Sequence, residues 1–404
     1  MTLERRDLVS IFDFSDPEVE AVFSLADEMS QYTRGKLGLA DGLIMSTLFY
    51  EPSTRTRLSF EAAMLRLGGG VIGVADARVT SVAKGETIAD TVRIIESYAD
   101  LIVIRNPLEG SARVAADFAS VPVVNAGDGA HEHPTQTLVD LYTIRRARGG
   151  LRGLSVALVG DLRYGRTVHS LAFGLARFGA KVTCVAPEGL EMPAHLLARL
   201  EHEFGCRPAR YRSLEEIVTN RNVVARRPGA QKALATEVLS SFDAVYVTRV
   251  QRERFESAEA YERARNSYAI TEEVIAKARP DALVMHPLPR VDELAYDIDN
   301  DPRAVYFRQA AYGLPVRMAL IAALLGRRPA RVRRARKGDW RPRPRHEVNF
   351  RKLGEVRCPN PRCVTNHEKY VTPRFLLVDY DESVVACAYC DQERPAPYGH
   401  EAQE

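Results

Sequence analysis

Short apolar runs alternate with stretches of helical period along most of this chain. Gly42–Phe49, Val71–Val74, Leu101–Ile104 and Val121–Asn125 read as buried strands, with helical segments between them such as Leu58–Leu67. A helix over 134–148 leads into a second series of strands at Leu154–Asp161, Lys181–Ala186 and Ala244–Val247. A helix over 167–178 lies between the first two of these, and one over 315–325 closes the series. Strands that alternate with helices favour parallel sheets covered on both faces. The expected fold is therefore α/β, with two doubly wound parallel-sheet domains. Gly160-Asp161-Leu162-Arg163-Tyr164-Gly165 has the wrong glycine spacing for a dinucleotide fingerprint, which argues against NAD.

After residue 325 the pattern stops. From Arg327 to Arg345 ten basic residues face a single acid, Asp339, a local +9 within a formal total of +3. The rest of the chain is thus mildly acidic, at −6, and the basicity belongs to one Arg/Pro-rich linker. Beyond it Cys358 and Cys363 enclose four residues, Cys387 and Cys390 enclose two, and 23 residues separate the pairs. Two such knuckles have the spacing of a tetrahedral all-cysteine zinc site, in a module too small for an adequate apolar core of its own. At 404 residues the chain is long enough for two or three domains. The expected boundaries are 1–133, an interdomain helix 134–149, a second domain 150–302, a returning helix 303–325, a linker 326–346 and the zinc module 347–404. Residues 219–237 form a polar, basic stretch expected as an inserted surface loop. The chain has no apolar run of bilayer length and no secretory signal, so the expected location is cytoplasmic, with no membrane partner.

The chemistry gathers where strands end. Pro52-Ser53-Thr54-Arg55-Thr56-Arg57 alternates hydroxyls and guanidiniums directly before a helix. Unpaired N–H groups, hydroxyl donors and planar cations together suit a small, multiply charged anion. Ser81–Thr87, with Ser81 and Lys84, forms a loop ahead of another helix. Arg105-Asn106-Pro107 follows a strand, and His131–Gln136 lies between strand and helix. In the second domain Arg166 opens a helix, Thr248-Arg249-Val250-Gln251 ends a strand, and His286-Pro287-Leu288-Pro289-Arg290 ends another. The arginines there suggest a ligand bearing carboxylates. No His/Glu/Asp set has the spacing of a catalytic metal site, and no Ser or Cys is paired with an evident base. The site therefore reads as one that orients and polarises its substrates without a covalent intermediate and without a catalytic cofactor.

Ser53-Thr54-Arg55-Thr56-Arg57, His133-Pro134-Thr135-Gln136 and His286–Arg290 together resemble the aspartate/ornithine carbamoyltransferase family over about residues 5–325. Thr248–Gln251 and the His-Pro-Leu-Pro-Arg motif resemble its aspartate-specific branch, whereas the ornithine branch typically carries a Cys-Leu-Pro version. The resemblance implies transfer of a carbamoyl group from carbamoyl phosphate to L-aspartate, a step of pyrimidine biosynthesis. It implies that Ser53, Thr54, Arg55 and Thr56 hold the phosphate, and that Thr56, Arg105 and His133 polarise the carbonyl oxygen. Gln136, Leu288 and Pro289 would lie at the carbamoyl amide. Arg166, Arg249, Gln251 and Lys84 would meet the aspartate. Ser81 and Lys84 would come from a neighbouring subunit, implying a homotrimer or a pair of trimers. The loop at 81–84 is one residue shorter than a common family version, and Asn106 stands where a His is frequent. The tail, including Cys358-Pro359-Asn360, resembles the zinc domain of the regulatory chain of aspartate carbamoyltransferase. Cys358, Cys363, Cys387 and Cys390 would bind a structural zinc ion, and the module is expected to dock on neighbouring catalytic subunits. Two other readings compete: an ornithine-type enzyme, and a nucleic-acid-binding regulatory protein built on an idle body. The linker lacks interleaved aromatics apart from Trp340, which disfavours nucleic acid as a partner.

Overall fold

The computed structural model describes residues 3–4, 6–32, 34–74, 81–213, 242–250, 257, 259, 261–262, 268–327, 347–348, 357–368, 371–378 and 381–396. Gln251, the 219–237 stretch and all but the first two residues of the basic linker lie outside them. The chain divides into two units, Met1–Leu138 with Tyr312–Glu404, and Val139–Ala311.

The first unit is built on a parallel sheet of β1 (Ile44–Phe49), β2 (Gly70–Val74), β3 (Leu101–Asn106) and β4 (Val123–Asp128). Their order is β2-β1-β3-β4. The strands are apolar because helices alternate with them: α1 (Asp16–Met29) before β1, then α2 (Thr54–Leu67), α3 (Ile88–Ile95) and α4 (Ser111–Phe118) after β1, β2 and β3. Strand order reverses between β1 and β3, which lie side by side with Phe49 opposite Arg105. Ligands bind at such a switch point, beyond the carboxyl ends of the strands. Gly68 ends α2 at a φ of 103°, in the left-handed region that glycine enters without penalty.

The second unit repeats the plan. β5 (Ser155–Val159), β6 (Lys181–Val185), β7 (Ala209–Tyr211), β8 (Ala244–Val247) and β9 (Leu283–Met285) form a parallel sheet of order β7-β6-β5-β8-β9. Its switch point lies between β5 and β8. The unit boundaries fall inside α5 (Pro134–Arg148) and inside a helix over Tyr306–Leu324. The latter helix lies within the 303–325 segment and begins before Pro315, where the helical pattern alone had placed its start. The proline is tolerated within the helix although it removes one backbone donor there, a cost of about 3 kcal/mol in an ordinary helix interior. Near-complete burial of Val316 and Met318–Leu324 offsets it.

The tail folds as an antiparallel sheet of β10 (Glu347–Val348), β11 (Phe375–Val378), β12 (Asp381–Cys387) and β13 (Glu393–Pro395), in that order. The structure seats this module on the first domain of its own chain. Val364, Val371, Phe375, Val385 and Tyr389 share one apolar cluster with Ile102, Ile104, Ala112 and Val114. The module therefore completes its undersized core with the face of α4 and β3. Gly110 allows the close approach, since a Cβ there would lie 2.6 Å from Cβ of Tyr389.

Candidate active site and metal centre

Ser53 is the N-cap of α2, yet its side chain makes no capping hydrogen bond. The alternating block thus supplies more than a capped helix start. Thr54, Arg55 and Thr56 form the first turn, where backbone N–H groups lack helical partners. Thr56 is buried, while Arg55 is exposed. The two arginines of the block differ. Arg57 Nε donates to Glu61 Oε1 at 2.7 Å, one turn further on. Arg55 makes no hydrogen bond or ion pair to any described residue, and burial alone draws its pKa below the ordinary arginine value. One guanidinium is neutralised and the other is left for a ligand.

Arg105 ends β3 beside this helix. It is buried, donates from Nη1 to the Ala126 carbonyl oxygen at 3.1 Å, and its Nη2 meets Glu51 Oε2 at 3.1 Å. Glu51 was missed in the sequence, although it immediately precedes the anion-binding block. Asn106 accepts from the Leu108 backbone N–H at 2.9 Å, closing the turn after β3. Gly129 N–H donates to the Asn106 carbonyl oxygen at 2.9 Å, which ties the loop after β4 to the same edge. That loop ends at His133, which is buried and lies 3.4 Å from the Thr135 hydroxyl through Nδ1. Gln136 sits in the first turn of α5. The structure thus brings the block, Arg105, His133 and Gln136 to one edge of the first sheet. Ser81 and Lys84 lie in a short 3-10 turn and are exposed.

The loop before His133 is densely tied. Asp128 is fully buried, and its Oδ1 accepts from Asn125 Nδ2 at 2.9 Å and from Glu132 N–H at 3.1 Å. Its Oδ2 accepts from Gly110 N–H at 2.9 Å and meets His131 Nδ1 at 3.0 Å. Burial opposes a charge on His131, but Asp128 and Asp391 outweigh it and hold the imidazole well above its ordinary pKa.

In the second unit Arg166 is the first residue of α6 (Arg166–Arg177), whose N-cap Gly165 brings no side chain. A Cβ at Gly165 would lie 2.5 Å from the Asp161 carbonyl oxygen. Arg249 follows β8 next to buried Thr248, and Thr248 is held by Tyr268, whose hydroxyl donates to its carbonyl oxygen at 2.5 Å. His286 is buried and fixed as one tautomer. Its Nδ1 accepts from the Leu288 N–H at 2.8 Å, so the proton sits on Nε2, which donates to Glu293 Oε1 at 2.8 Å. Desolvation pulls the His286 pKa down despite Glu293. This pair supports the turn at Leu288, which has a φ of 53° and precedes a cis peptide bond to Pro289. Arg290 is not available to a ligand: Asp299 grips it from both nitrogens, at 2.6 Å from Nη2.

In the tail, Cys358, Cys363, Cys387 and Cys390 are all buried and their sulfur atoms lie within 4.8 Å of one another. Cys358 and Cys390 are 3.5 Å apart, and Cys363 and Cys387 3.8 Å. Sulfurs about 2.3 Å from a tetrahedral zinc ion would be about 3.8 Å apart, so the donor set fits a divalent metal of that size. Glu109 joins this centre to the first domain. Its N–H donates to the Arg362 carbonyl oxygen at 3.0 Å, and its carbonyl oxygen accepts from Val364 N–H at 2.8 Å. Its carboxylate meets Arg362 at 3.0 Å and accepts from Asn360.

Two switch-point edges that present arginines at open helix starts, with a cysteine-bound module clamped to one of them, define an anion-handling α/β enzyme. Comparison with known proteins supplies the particular family. Residues 6–146 match "Aspartate/ornithine carbamoyltransferase, carbamoyl-P binding domain" and residues 152–324 its "Asp/Orn binding domain". Residues 352–395 match "Aspartate carbamoyltransferase regulatory chain, metal binding domain". The chain belongs to the aspartate/ornithine carbamoyltransferase family. It is 50% identical over 323 residues to the aspartate carbamoyltransferase catalytic subunit of Methanopyrus kandleri, covering 80% of this chain and 97% of that one. The corresponding subunit of Clostridium botulinum is 47% identical, with 80% and 99% covered. Among solved structures, aspartate transcarbamoylase from Trypanosoma cruzi in complex with carbamoyl phosphate and aspartate is similar at a TM-score of 0.71 and 39% identity. That match covers 80% of this chain and 98% of the other. Among the described residues, no helix is long and apolar enough to cross a membrane.

Proposed function

We propose that this protein transfers the carbamoyl group of carbamoyl phosphate to the amine of L-aspartate, yielding N-carbamoyl-L-aspartate and phosphate. The observation that carries the reading is the uncapped start of α2 with Arg55 free of any described carboxylate, beside Arg105 at the sheet's switch point. Ser53, Thr54, Arg55 and Thr56 hold the phosphate with hydroxyls, helix N–H groups and one full positive charge. Thr56, Arg105 and His133 donate to the carbonyl oxygen, and so stabilise the negative charge it gains when the carbon becomes tetrahedral. Gln136 and the Leu288–Pro289 turn meet the carbamoyl amide. Arg166, Arg249 and Gln251 take the two carboxylates of aspartate, whose neutral amine attacks the carbonyl carbon. The C–N bond forms, the C–O bond to phosphate breaks, and phosphate leaves with the electron pair against Arg55, taking up the proton that the amine nitrogen releases. Ser81 and Lys84, exposed on their own chain, serve the site of a neighbour, with Lys84 reaching both substrates there. That requires a homotrimer, alone or paired. A zinc ion held by Cys358, Cys363, Cys387 and Cys390 is structural: it holds the tail together and takes no part in the transfer. A soluble cytoplasmic setting in pyrimidine synthesis accords with this chemistry.

The test supplies carbamoyl phosphate with either L-aspartate or L-ornithine and follows phosphate release and the carbamoylated amino acid. Carbamoyl aspartate is the expected product. Turnover with ornithine and none with aspartate would overturn the assignment.

A further inference from the structure

We infer that Asp391 of the four-cysteine module is a positioning residue for His133, acting through His131. The inference rests on the reading of His133 given above. Three residues, Ala130, His131 and Glu132, immediately precede His133, and each is strapped from outside the loop. Glu132 is held by the chain's own N-terminal segment, accepting from Ser10 Oγ at 2.6 Å and from Ile11 N–H at 3.2 Å. The other two are held by groups that the metal module grips. Ala130 N–H donates to Glu109 Oε1 at 3.2 Å, and that same carboxylate carries Arg362 and Asn360 of the module. His131 spans the gap directly: Nδ1 meets Asp128 Oδ2 at 3.0 Å, and Nε2 meets Asp391 Oδ2 at 3.4 Å.

This arrangement makes the module one wall of the catalytic loop. Asp391 directly follows the ligand Cys390 and has a φ of 56°, so its side chain is aimed by the metal-bound turn itself. His131 transmits that placement to Asp128, which also accepts from the Glu132 N–H one residue before His133. Removing the Asp391 carboxylate leaves His131 with one anchor in place of two. The loop is then free to shift, and a displacement of about 1 Å at a group that polarises a carbonyl oxygen is enough to cost up to 100-fold in rate.

The test uses the full-length, metal-loaded protein. Asp391→Gly removes the carboxylate, and glycine accepts the positive φ. The expected result is a fall in kcat of about tenfold, with the aspartate KM, the metal content and the native mass unchanged. Asp391→Asn, which also tolerates this φ and retains an acceptor oxygen, restores most of the loss. His131→Ala gives a similar fall, and the double variant costs no more than the larger single one, because both break one link. Wild-type kcat in metal-replete Asp391→Gly, or losses that simply multiply in the double variant, would overturn the inference. Should Asp391→Gly lose metal, His131→Ala decides, and wild-type kcat there would equally overturn it. A wild-type protein with no carbamoyl transfer at all would instead refute the proposed function.

Discussion

Arg55→Ala separates function from stability. Arg55 is the second residue of α2, is exposed, and touches no described partner. Among the described residues the fold therefore loses no hydrogen bond or ion pair when it is removed. A cation in the first turn of a helix opposes the macrodipole, so its loss should leave stability unchanged or raise it by about 0.3–1 kcal/mol. The effect on catalysis has the opposite sign. A guanidinium about 4 Å from a phosphate charge, at the effective dielectric of a protein surface, contributes about 4 kcal/mol. Much of that is felt as phosphate leaves, so kcat should fall by about 100- to 1,000-fold. Arg57→Ala is the control. It breaks a partly exposed ion pair with Glu61, should cost about 0.3–0.5 kcal/mol of stability, and should change kcat far less. The assay pairs initial rates at saturating substrates with thermal unfolding of all three proteins. An Arg55→Ala enzyme with near-normal turnover, or one that loses more stability than Arg57→Ala does, would refute the reasoning.

Three further outcomes follow from the structure. Chelation of the metal, or Cys363→Ser, should unfold the tail and expose Ile102, Ile104 and Val114, lowering the melting temperature and raising binding of a hydrophobic dye; an unchanged melting curve after verified metal loss would contradict this. Tyr246→Phe removes a hydroxyl that donates at 2.8 Å to fully buried Asp140, whose carboxylate also accepts from Gln309 at 2.6 Å, and should cost about 1.5–3 kcal/mol in denaturant unfolding. His286 has a folded pKa below its unfolded value of 6.5, so the folded state binds fewer protons. Its contribution to stability is then complete above about pH 6.5 and is lost as pH falls below it. Stability should decline with acid from that point, and His286→Asn should flatten the slope there when unfolding is measured across pH 5–8.

The parallel-strand rhythm was legible because strands buried on both faces must be largely apolar, as Leu101–Ile104 is throughout. The block at Ser53–Arg57 was legible because hydroxyl and guanidinium alternation has a local meaning at a helix start. What escaped the sequence is of another kind. Within the block itself nothing distinguishes Arg55 from Arg57; the difference is Glu61, one turn further along the helix, which claims only the second. Nor does the His286–Arg290 motif by itself show that Arg290 is claimed by Asp299. The helical pattern alone began at Pro315, a strong local signal, and only the burial around it shows that the helix continues through.

By itself the sequence determined the α/β class, the strand-end motifs and the four-cysteine set, since each depends on neighbours a few residues apart whose periodicity or spacing carries the physics. The tertiary structure decided which charges are spent and which remain, because an ion pair forms only where folding brings the partner within reach, as it does for Arg105 and Glu51. It also decided where the tail goes. A four-cysteine module with too small a core must borrow apolar surface, and only folding reveals that this surface is α4 and β3 of the same chain. That choice places Glu109, His131 and Asp391 around the loop that ends at His133.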